Sequence, residues 1–219
     1  MIINCSSNLL EFENQLSERI FVNNSRNIRI RPSETTSIRI SILVDDIETT
    51  NVGENFKAEV KLQLYQSWED HRLAYNISEQ PDYQYLPLNA LAIKRIWSTD
   101  LVFSTALKAD FHFVMVPHGF VWIYPDGTVL YKLQVSVTIR CRHDLNESKL
   151  HCPLKIQSFG STSDQIKLEW NGEDPVTYEK SVYLPEYEVG NVLTESIEVV
   201  TKIGNFSTLL ADLILKSNF

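Results

Sequence analysis

Two cysteines in the second half of this chain mark the end of its clearest strand pattern. Cys141 and Cys152 enclose ten residues, and the segment before them alternates apolar and polar side chains from Val129 to Arg140. A period of two residues is typical of a half-buried β-strand. The placement predicts a short covalent loop, closed by a disulfide, at the end of a strand. A disulfide also indicates an oxidising compartment.

The same alternation recurs elsewhere in the chain. Apolar residues occupy every second position over residues 38–44, 56–64 and 166–170. Clusters of Gly, Pro, Asn and Asp separate these runs, and Pro125-Asp-Gly127 between two of them is typical of a hairpin turn. The pattern predicts an all-β fold, in which short strands form a β-sandwich.

One helix precedes the strands. Over residues 8–20 the apolar side chains recur at helical spacing, and Ser7 or Asn8 is available as the N-cap. The sequence contains neither an internal repeat nor a linker, and a β-sandwich can reach this length undivided. We therefore expect a single domain over residues 1–219, with the N-terminal α-helix at 8–20 and the disulfide loop at 141–152.

Four motifs carry a resemblance to a known family. The segment from Cys141 to Cys152, with Gln157-Ser-Phe-Gly160 and Leu168-Glu-Trp170 after it, resembles the signature region of the Cys-loop receptors, the pentameric ligand-gated ion channels. The upstream motifs, in that family's order and at its spacings, are Trp68-Glu-Asp70-His-Arg72, Ile96-Trp97-Ser-Thr-Asp100 and Asp126-Gly-Thr-Val-Leu-Tyr131. The resemblance covers nearly the whole chain and is nearest to the glycine and GABA receptor branch. It implies an immunoglobulin-like β-sandwich, assembly as a pentamer, and a ligand bound between subunits.

Composition and motifs narrow the classes of function. The net charge of −8 argues against nucleic acid or an anionic membrane surface as a partner. The histidines show no metal-ligand spacing, and Asp110-Phe-His112 places only two potential ligands on one strand face. The sequence contains neither a phosphate-binding loop nor a nucleophile elbow. We therefore expect a binding protein rather than an enzyme, with no metal and no cofactor.

Other features predict a secreted or extracellular protein. The Asn-x-Ser/Thr sequons, which are glycosylation candidates, are Asn4, Asn23, Asn76, Asn146 and Asn205. No stretch approaches the roughly eighteen apolar residues that span a bilayer. Acidic residues interrupt the apolar ones in residues 1–20, so we expect a mature start rather than a secretory signal. The remaining cysteine, Cys5, has no predicted role.

The resemblance implies a principal ligand-binding face made of three loops that carry aromatic side chains. Phe159, beside Ser158, matches the aromatic of the second loop, and Phe206 matches that of the third loop by its distance from the C-terminus. In the first loop the aromatic is Phe103, for which strand alternation also leaves a core position open. The resemblance further implies that the third loop, around residues 191–206, closes over a bound ligand.

A complementary face on the neighbouring subunit is also implied. Its members, located by distance from the Trp68 and Asp126 motifs, are Gln63, Tyr65, Phe120, Trp122 and Gln134. Tyr65 stands where amino-acid receptors of the family carry Arg, and Trp122 and Gln134 hold the other usual Arg positions. The predicted wall is therefore aromatic and uncharged.

This wall decides which ligands we expect. Aromatic faces attract cations, whereas a carboxylate needs a cationic partner such as Arg. A small cationic or apolar ligand is therefore predicted, and glycine and GABA are disfavoured. Acetylcholine is also disfavoured, because residues 194–204 lack both the adjacent cysteine pair and the tyrosine of acetylcholine-binding subunits.

Three functional interpretations remain open. In channel-forming members the disulfide loop is longer and carries an apolar Phe-Pro tip, whereas residues 142–151 here are mostly polar. A water-facing loop favours a soluble homo-pentameric binding protein similar to the acetylcholine-binding proteins. The alternatives are the extracellular domain of a ligand-gated channel, in a homo- or hetero-pentamer, and an interaction homologue that has lost ligand binding.

Overall fold

The computed structural model describes residues 4–21, 28–52, 55–78, 82–144 and 146–218. Helix α1 spans Asn4–Phe21. Two 3-10 helices span His71–Leu73 and Ala90–Arg95. In chain order the strands are β1 Thr36–Val52, β2 Asn55–Glu69, β3 Leu86–Asn89, β4 Leu101–Phe103, β5 Ala106–Phe111, β6 Phe113–Val114, β7 Val116–Pro117, β8 Gly119–Ile123, β9 Thr128–Asp144, β10 Lys149–Ser158, β11 Ile166–Trp170, β12 Val176–Tyr178, β13 Tyr187–Thr201 and β14 Gly204–Ser217.

Strand β9 belongs to both layers of the sandwich. In the first layer it pairs with β2, β5 and β8, while β2 pairs with β1, and β1 carries β11 and β12 on its other side. In the second layer β10 pairs with β14 and β4, and β14 pairs with β13. The end of β9 pairs with the start of β10 and thereby joins the layers. The predicted all-β sandwich with an N-terminal helix is confirmed.

The disulfide lies where the two layers meet. Cys141 and Cys152 are bonded and buried, with their Cα atoms 4.2 Å apart. Cys141 pairs with Phe56 of β2, whereas Cys152 pairs with Leu213 of β14. The bond therefore fastens one hydrogen-bonded ladder to the other. By the chain-entropy model, closing so short a loop stabilises the fold by about 2–3 kcal/mol.

Alternation along the strands separates the core from the outer surface. The inward positions of the long strands are buried and form one continuous core with residues of α1. On β2 and β9 these inward positions include Val60, Leu62, Leu64, Val129, Val135, Val137 and Ile139. Burying a residue of this size contributes about 1.5–3 kcal/mol, so the apolar period fixes which face of each strand points inward.

The predicted helix and hairpin both form, with one difference. Helix α1 begins at Asn4 rather than near Asn8, so the predicted N-cap at Ser7 or Asn8 is wrong. Its buried side chains include Phe12, whose ring meets the edge of Tyr83 at 5.2 Å. The hairpin turn between β8 and β9 contains Gly127 at φ +91°, and a Cβ there would lie 2.5 Å from the carbonyl oxygen of Asp70.

The sequons and the remaining cysteine divide between described and undescribed positions. Asn76, Asn146 and Asn205 are exposed, and they remain candidates for glycosylation. Asn23 and the side chains of Asn4 and Cys5 lie outside the described residues. No described helix combines the length and apolarity required to cross a membrane. Within the described ranges no three His, Cys, Asp or Glu side chains are placed to hold a metal ion together.

A buried ion pair holds the turn that follows β2. Asp70 is 1% exposed and accepts from Arg72 through both carboxylate oxygens, at 2.7 Å from Nε and 2.8 Å from Nη2. Arg72 Nη1 also donates to the carbonyl of Ile30 at 3.0 Å. The backbone N–H of Asp70 donates to Gly127 at 3.0 Å, which ties this turn to the β8–β9 hairpin. The hydrogen bond to Asp70 raises the pKa of Arg72, so the guanidinium group stays charged.

We expect Asp70→Asn to lower the free energy of unfolding by about 3 kcal/mol, because it leaves a largely buried guanidinium without its counter-charge. Urea denaturation measures this loss through the transition midpoint. The matched control is Glu69→Gln, which removes a carboxylate from an exposed pair with Arg39 at 3.6 Å and should cost at most about 0.5 kcal/mol. Equal losses in the two variants would contradict the structural role of Asp70.

Candidate functional site

One carboxylate orders the loop that follows β10, residues 159–165. Asp100 Oδ1 accepts from the hydroxyl of Ser158 at 2.6 Å, and Oδ2 accepts from the N–H of Gly160 at 2.8 Å. The carbonyl of Asp100 also accepts from the N–H of Phe159 at 3.0 Å. These bonds turn the chain sharply at the end of β10. As a result the ring of Phe159 is 76% exposed on the surface of the subunit.

The β13–β14 hairpin lies against this loop. Ser163 donates from its backbone N–H to the carbonyl of Asn205 at 2.8 Å, and from its hydroxyl to Glu198 at 2.5 Å. Gly204 ends the hairpin turn at φ +143°, and a Cβ there would lie 2.7 Å from the methyl group of Thr162. The close approach requires glycine at this position. The predicted third loop is therefore a β-hairpin that contacts the Phe159 loop through backbone and side-chain bonds.

Three predicted members of the principal face are turned away from an incoming ligand. Ser158 is fully buried, and its hydroxyl also accepts from the N–H of Ser161 at 2.9 Å, so it holds the loop. Phe103 packs against the core and lines a half-open cavity of the same subunit. Phe206 is 4% exposed, on the face of β14 opposite the core residue Leu209. In this conformation Phe159 is the predicted aromatic that offers a free face.

The complementary strands place a lysine between two aromatic rings. Tyr65 of β2 is opposite Lys132 of β9, which is in turn opposite Phe120 of β8. The ammonium group of Lys132 lies 5.8 Å from the centroid of each ring. This distance is within the range of cation–π attraction. Among the ion pairs of the described residues, none involves Lys132, so its charge is available to an external anion.

Trp122 is already engaged by neighbouring rings. It stacks on Phe120 with centroids 4.4 Å apart and on Tyr85 with centroids 4.1 Å apart, and both pairs are within 22° of parallel. Tyr85 in turn contacts Tyr124 at 5.8 Å. This row of rings stiffens the face but leaves little of the Trp122 ring surface for a ligand. The role of Trp122 in a ligand-binding wall stays a prediction.

A polar network fixes the two predicted glutamines. Asp45 accepts from the side-chain amides of Gln63 at 2.6 Å and Gln134 at 2.7 Å. The hydroxyl of Tyr65 donates to the carbonyl oxygen of Gln63 at 2.8 Å. Burial, together with the charges of Asp45 and Glu179, raises the pKa of Tyr65, so this hydroxyl stays protonated at neutral pH. The amides are thus held in place, and each already has a partner.

Within one subunit the two faces do not meet. None of the hydrogen bonds or ring contacts found among the described residues joins Phe159 to Tyr65, Phe120 or Lys132. The sequence prediction missed Lys132 because a cation was sought only at the positions where the family usually carries arginine. The missed signal was the outward position that Lys132 shares with Gln134 on the alternating strand β9.

Comparisons with known proteins found a family model and several curated relatives that match this chain. The family model of the neurotransmitter-gated ion-channel ligand binding domain matches residues 13–212. A glutamate-gated chloride channel of Drosophila melanogaster is 30% identical over 99% of this chain and 48% of its own length. Glycine receptor subunit beta-type 4 of Caenorhabditis elegans is 29% identical over 79% of this chain and 35% of its own. Gamma-aminobutyric acid receptor subunit beta-4 of Gallus gallus is 32% identical over 87% of this chain and 40% of its own length. The chain spans about half or less of the length of these curated relatives.

We expect Asp100→Ala to loosen the Phe159 loop. The variant removes charge-assisted hydrogen bonds worth about 1.5–3 kcal/mol, so the amide of Gly160 should exchange at least about tenfold faster with solvent deuterium. Hydrogen exchange followed by NMR measures the change. Asp164→Ala, in the same loop, is the matched control, because the Asp164 carboxylate bonds the Thr162 hydroxyl rather than Gly160. An unchanged Gly160 rate in Asp100→Ala would show that the loop is held by other contacts.

Proposed function

Because this chain belongs to the neurotransmitter-gated ion-channel ligand-binding domain family, we propose that five copies assemble and bind a small carboxylate-bearing molecule between neighbouring subunits. The family consists of receptor domains rather than enzymes. Phe159 and the β13–β14 hairpin form the principal side of the proposed pocket. Tyr65, Phe120 and Lys132 form the complementary side.

The observation that carries this proposal is the position of Lys132. Its ammonium group is held between two rings and has no carboxylate partner among the described residues. A ligand carboxylate at this point would gain a charge-assisted hydrogen bond, which is roughly twice as strong as a neutral one. The same lysine occupies the ring faces of Tyr65 and Phe120, which were predicted to attract a cationic ligand. The complementary side thus supports an anionic group in place of a cationic one.

The other end of the ligand would face Phe159. Its exposed ring can attract an ammonium group, with about 0.5–2 kcal/mol gained depending on how far the contact is desolvated. A zwitterion would then direct its carboxylate to Lys132 and its amine to Phe159. Glutamate, glycine and γ-aminobutyric acid, after which the matched relatives are named, all carry both groups. They are the first ligands to test.

The disulfide loop bears on whether the assembly is soluble. The described ends of the disulfide loop pair as antiparallel strands, with Arg142 opposite His151 and Asp144 opposite Lys149. At its tip Asn146, Glu147 and Ser148 are exposed and polar. Such a tip is suited to water rather than to an apolar partner, which supports a secreted soluble binding protein. The alternative is the extracellular domain of a ligand-gated channel, and the native transcript distinguishes them by the presence or absence of membrane-spanning segments.

We expect Lys132→Met to weaken carboxylate binding by about 10–100-fold, because a hydrogen bond to a charged group contributes about 1.5–3 kcal/mol. Calorimetric titration with glutamate, glycine, γ-aminobutyric acid and choline measures the affinities. Lys167→Met is the matched control, because it removes a charge from the exposed Lys167–Glu169 pair on β11. Tighter binding of choline than of every carboxylate, unaffected by Lys132→Met, would favour the cationic ligand predicted from sequence.

Phe159 tests the assembly and the pocket separately. Light scattering should give a mass of five 25.3 kDa subunits for the wild type and for Phe159→Ala. In the variant we expect ligand affinity to fall by about three- to thirtyfold, the range that corresponds to loss of a cation–π contact. A monomer at micromolar concentration would contradict the interface site. A pentamer that binds none of the ligands would support the interaction homologue.

A further inference from the structure

A half-open cavity of about 620 Å³ lies in the subunit, with exposed residues of β5 along its rim. It is bounded by the inward faces of β2, β9 and β10 on one side and by β4 and β5 on the other. Most of its lining is apolar, including Leu64, Phe103, Leu133, Val135 and Ile156. The volume falls within the range of about 300–1,000 Å³ that is usual for small-molecule sites.

A buried amide faces this cavity with one group unpaired. Gln66 is 3% exposed, and its carbonyl oxygen accepts a hydrogen bond from the hydroxyl of Thr99. That bond fixes the orientation of the amide. Across the described ranges no hydrogen bond reaches the Nε2 group of Gln66, which lines the cavity. This donor is open to an acceptor inside the cavity, which would replace the water that otherwise solvates it.

A second donor stands beside the first. Tyr131 of β9 is directly opposite Gln66 of β2, and it also lines the cavity. Its hydroxyl makes no hydrogen bond within the described part of the chain. Burial raises the pKa of Tyr131 to about 12, so the hydroxyl is protonated at neutral pH and available as a donor. Both donors therefore belong to the wall of the same cavity.

The charges at the mouth of the cavity balance. Lys108 and Asp110 of β5 are exposed and form an ion pair with each other. They are the charged residues among those lining the cavity. The interior therefore presents apolar surface and neutral hydrogen-bond donors, a combination suited to an uncharged ligand.

We propose that this cavity binds a small neutral molecule with an apolar body and one carbonyl-type acceptor, held by Gln66 Nε2 and the Tyr131 hydroxyl. This site is separate from the interface pocket, because Tyr65 and Lys132 point outward from the same strands on which Gln66 and Tyr131 point inward. The inference therefore does not depend on the proposed function.

The test uses two matched probes, para-fluoroacetophenone and para-fluoroethylbenzene, which differ in the carbonyl group. Fluorine NMR of each probe with the wild-type protein should show saturable binding, about five- to twelvefold tighter for the ketone because one hydrogen bond contributes about 1–1.5 kcal/mol. Gln66→Met removes the donor at similar length and should abolish most of this preference. Leu133→Phe adds volume inside the cavity and should weaken both probes.

Variants of the interface pocket supply the control. Phe159→Ala and Lys132→Met should leave ketone binding unchanged, since neither residue lines the cavity. Tyr131→Phe removes one oxygen and should weaken the ketone alone, so it decides the matter if Gln66→Met fails to fold. Absence of ketone binding to the wild type, or binding that Leu133→Phe and Tyr131→Phe leave intact, would overturn the proposal. Loss of ketone binding in Phe159→Ala would assign the probe to the interface pocket.

Discussion

The rest of the structure depends on strand β9 being shared between the two layers. It pairs with β2 along nearly its whole length, and its last residues pair with the start of β10. The Cys141–Cys152 bond fastens this crossing point by joining the β2–β9 ladder to the β10–β14 ladder. Because β9 pairs with strands of both layers, a side chain on β9 has a fixed position relative to each layer.

Because side chains alternate along β2 and β9, each strand presents one face to the interior and one to the outer surface. Successive residues of a strand point to opposite faces, so Gln66 and Tyr131 enter the interior while Tyr65 and Lys132 reach the outer surface. The inner pair is neutral and largely removed from water, whereas the outer pair combines a cation with an aromatic ring. One pairing register therefore positions both the internal cavity and the complementary face, and a slip by one residue would exchange them.

Periodicity predicted the strands well but the site only in part. The apolar period identified β1, β2 and β9 because burial of one face is a local property of the sequence, and Pro125-Asp-Gly127 identified its turn for the same reason. Phe206 was placed by its distance from the C-terminus, which does not determine what covers a ring, whereas for Phe103 the alternation had already left a core position open. Lys132 was overlooked because its environment depends on Tyr65 and Phe120, which only strand pairing brings to its two sides.

Asp45 pairs with the neutral polar side chains of the proposed complementary face before any ligand binds. It is the extra residue at a bulge in β1, where the register with β2 shifts between Val44 and Asp46. Its carboxylate engages the amides of both Gln63 and Gln134, so these polar groups have partners before any ligand arrives. A ligand would gain little by replacing bonds that already exist. Lys132 lacks such a partner among the described residues, and under the proposed function it is the group on this face that would distinguish an anion from a cation.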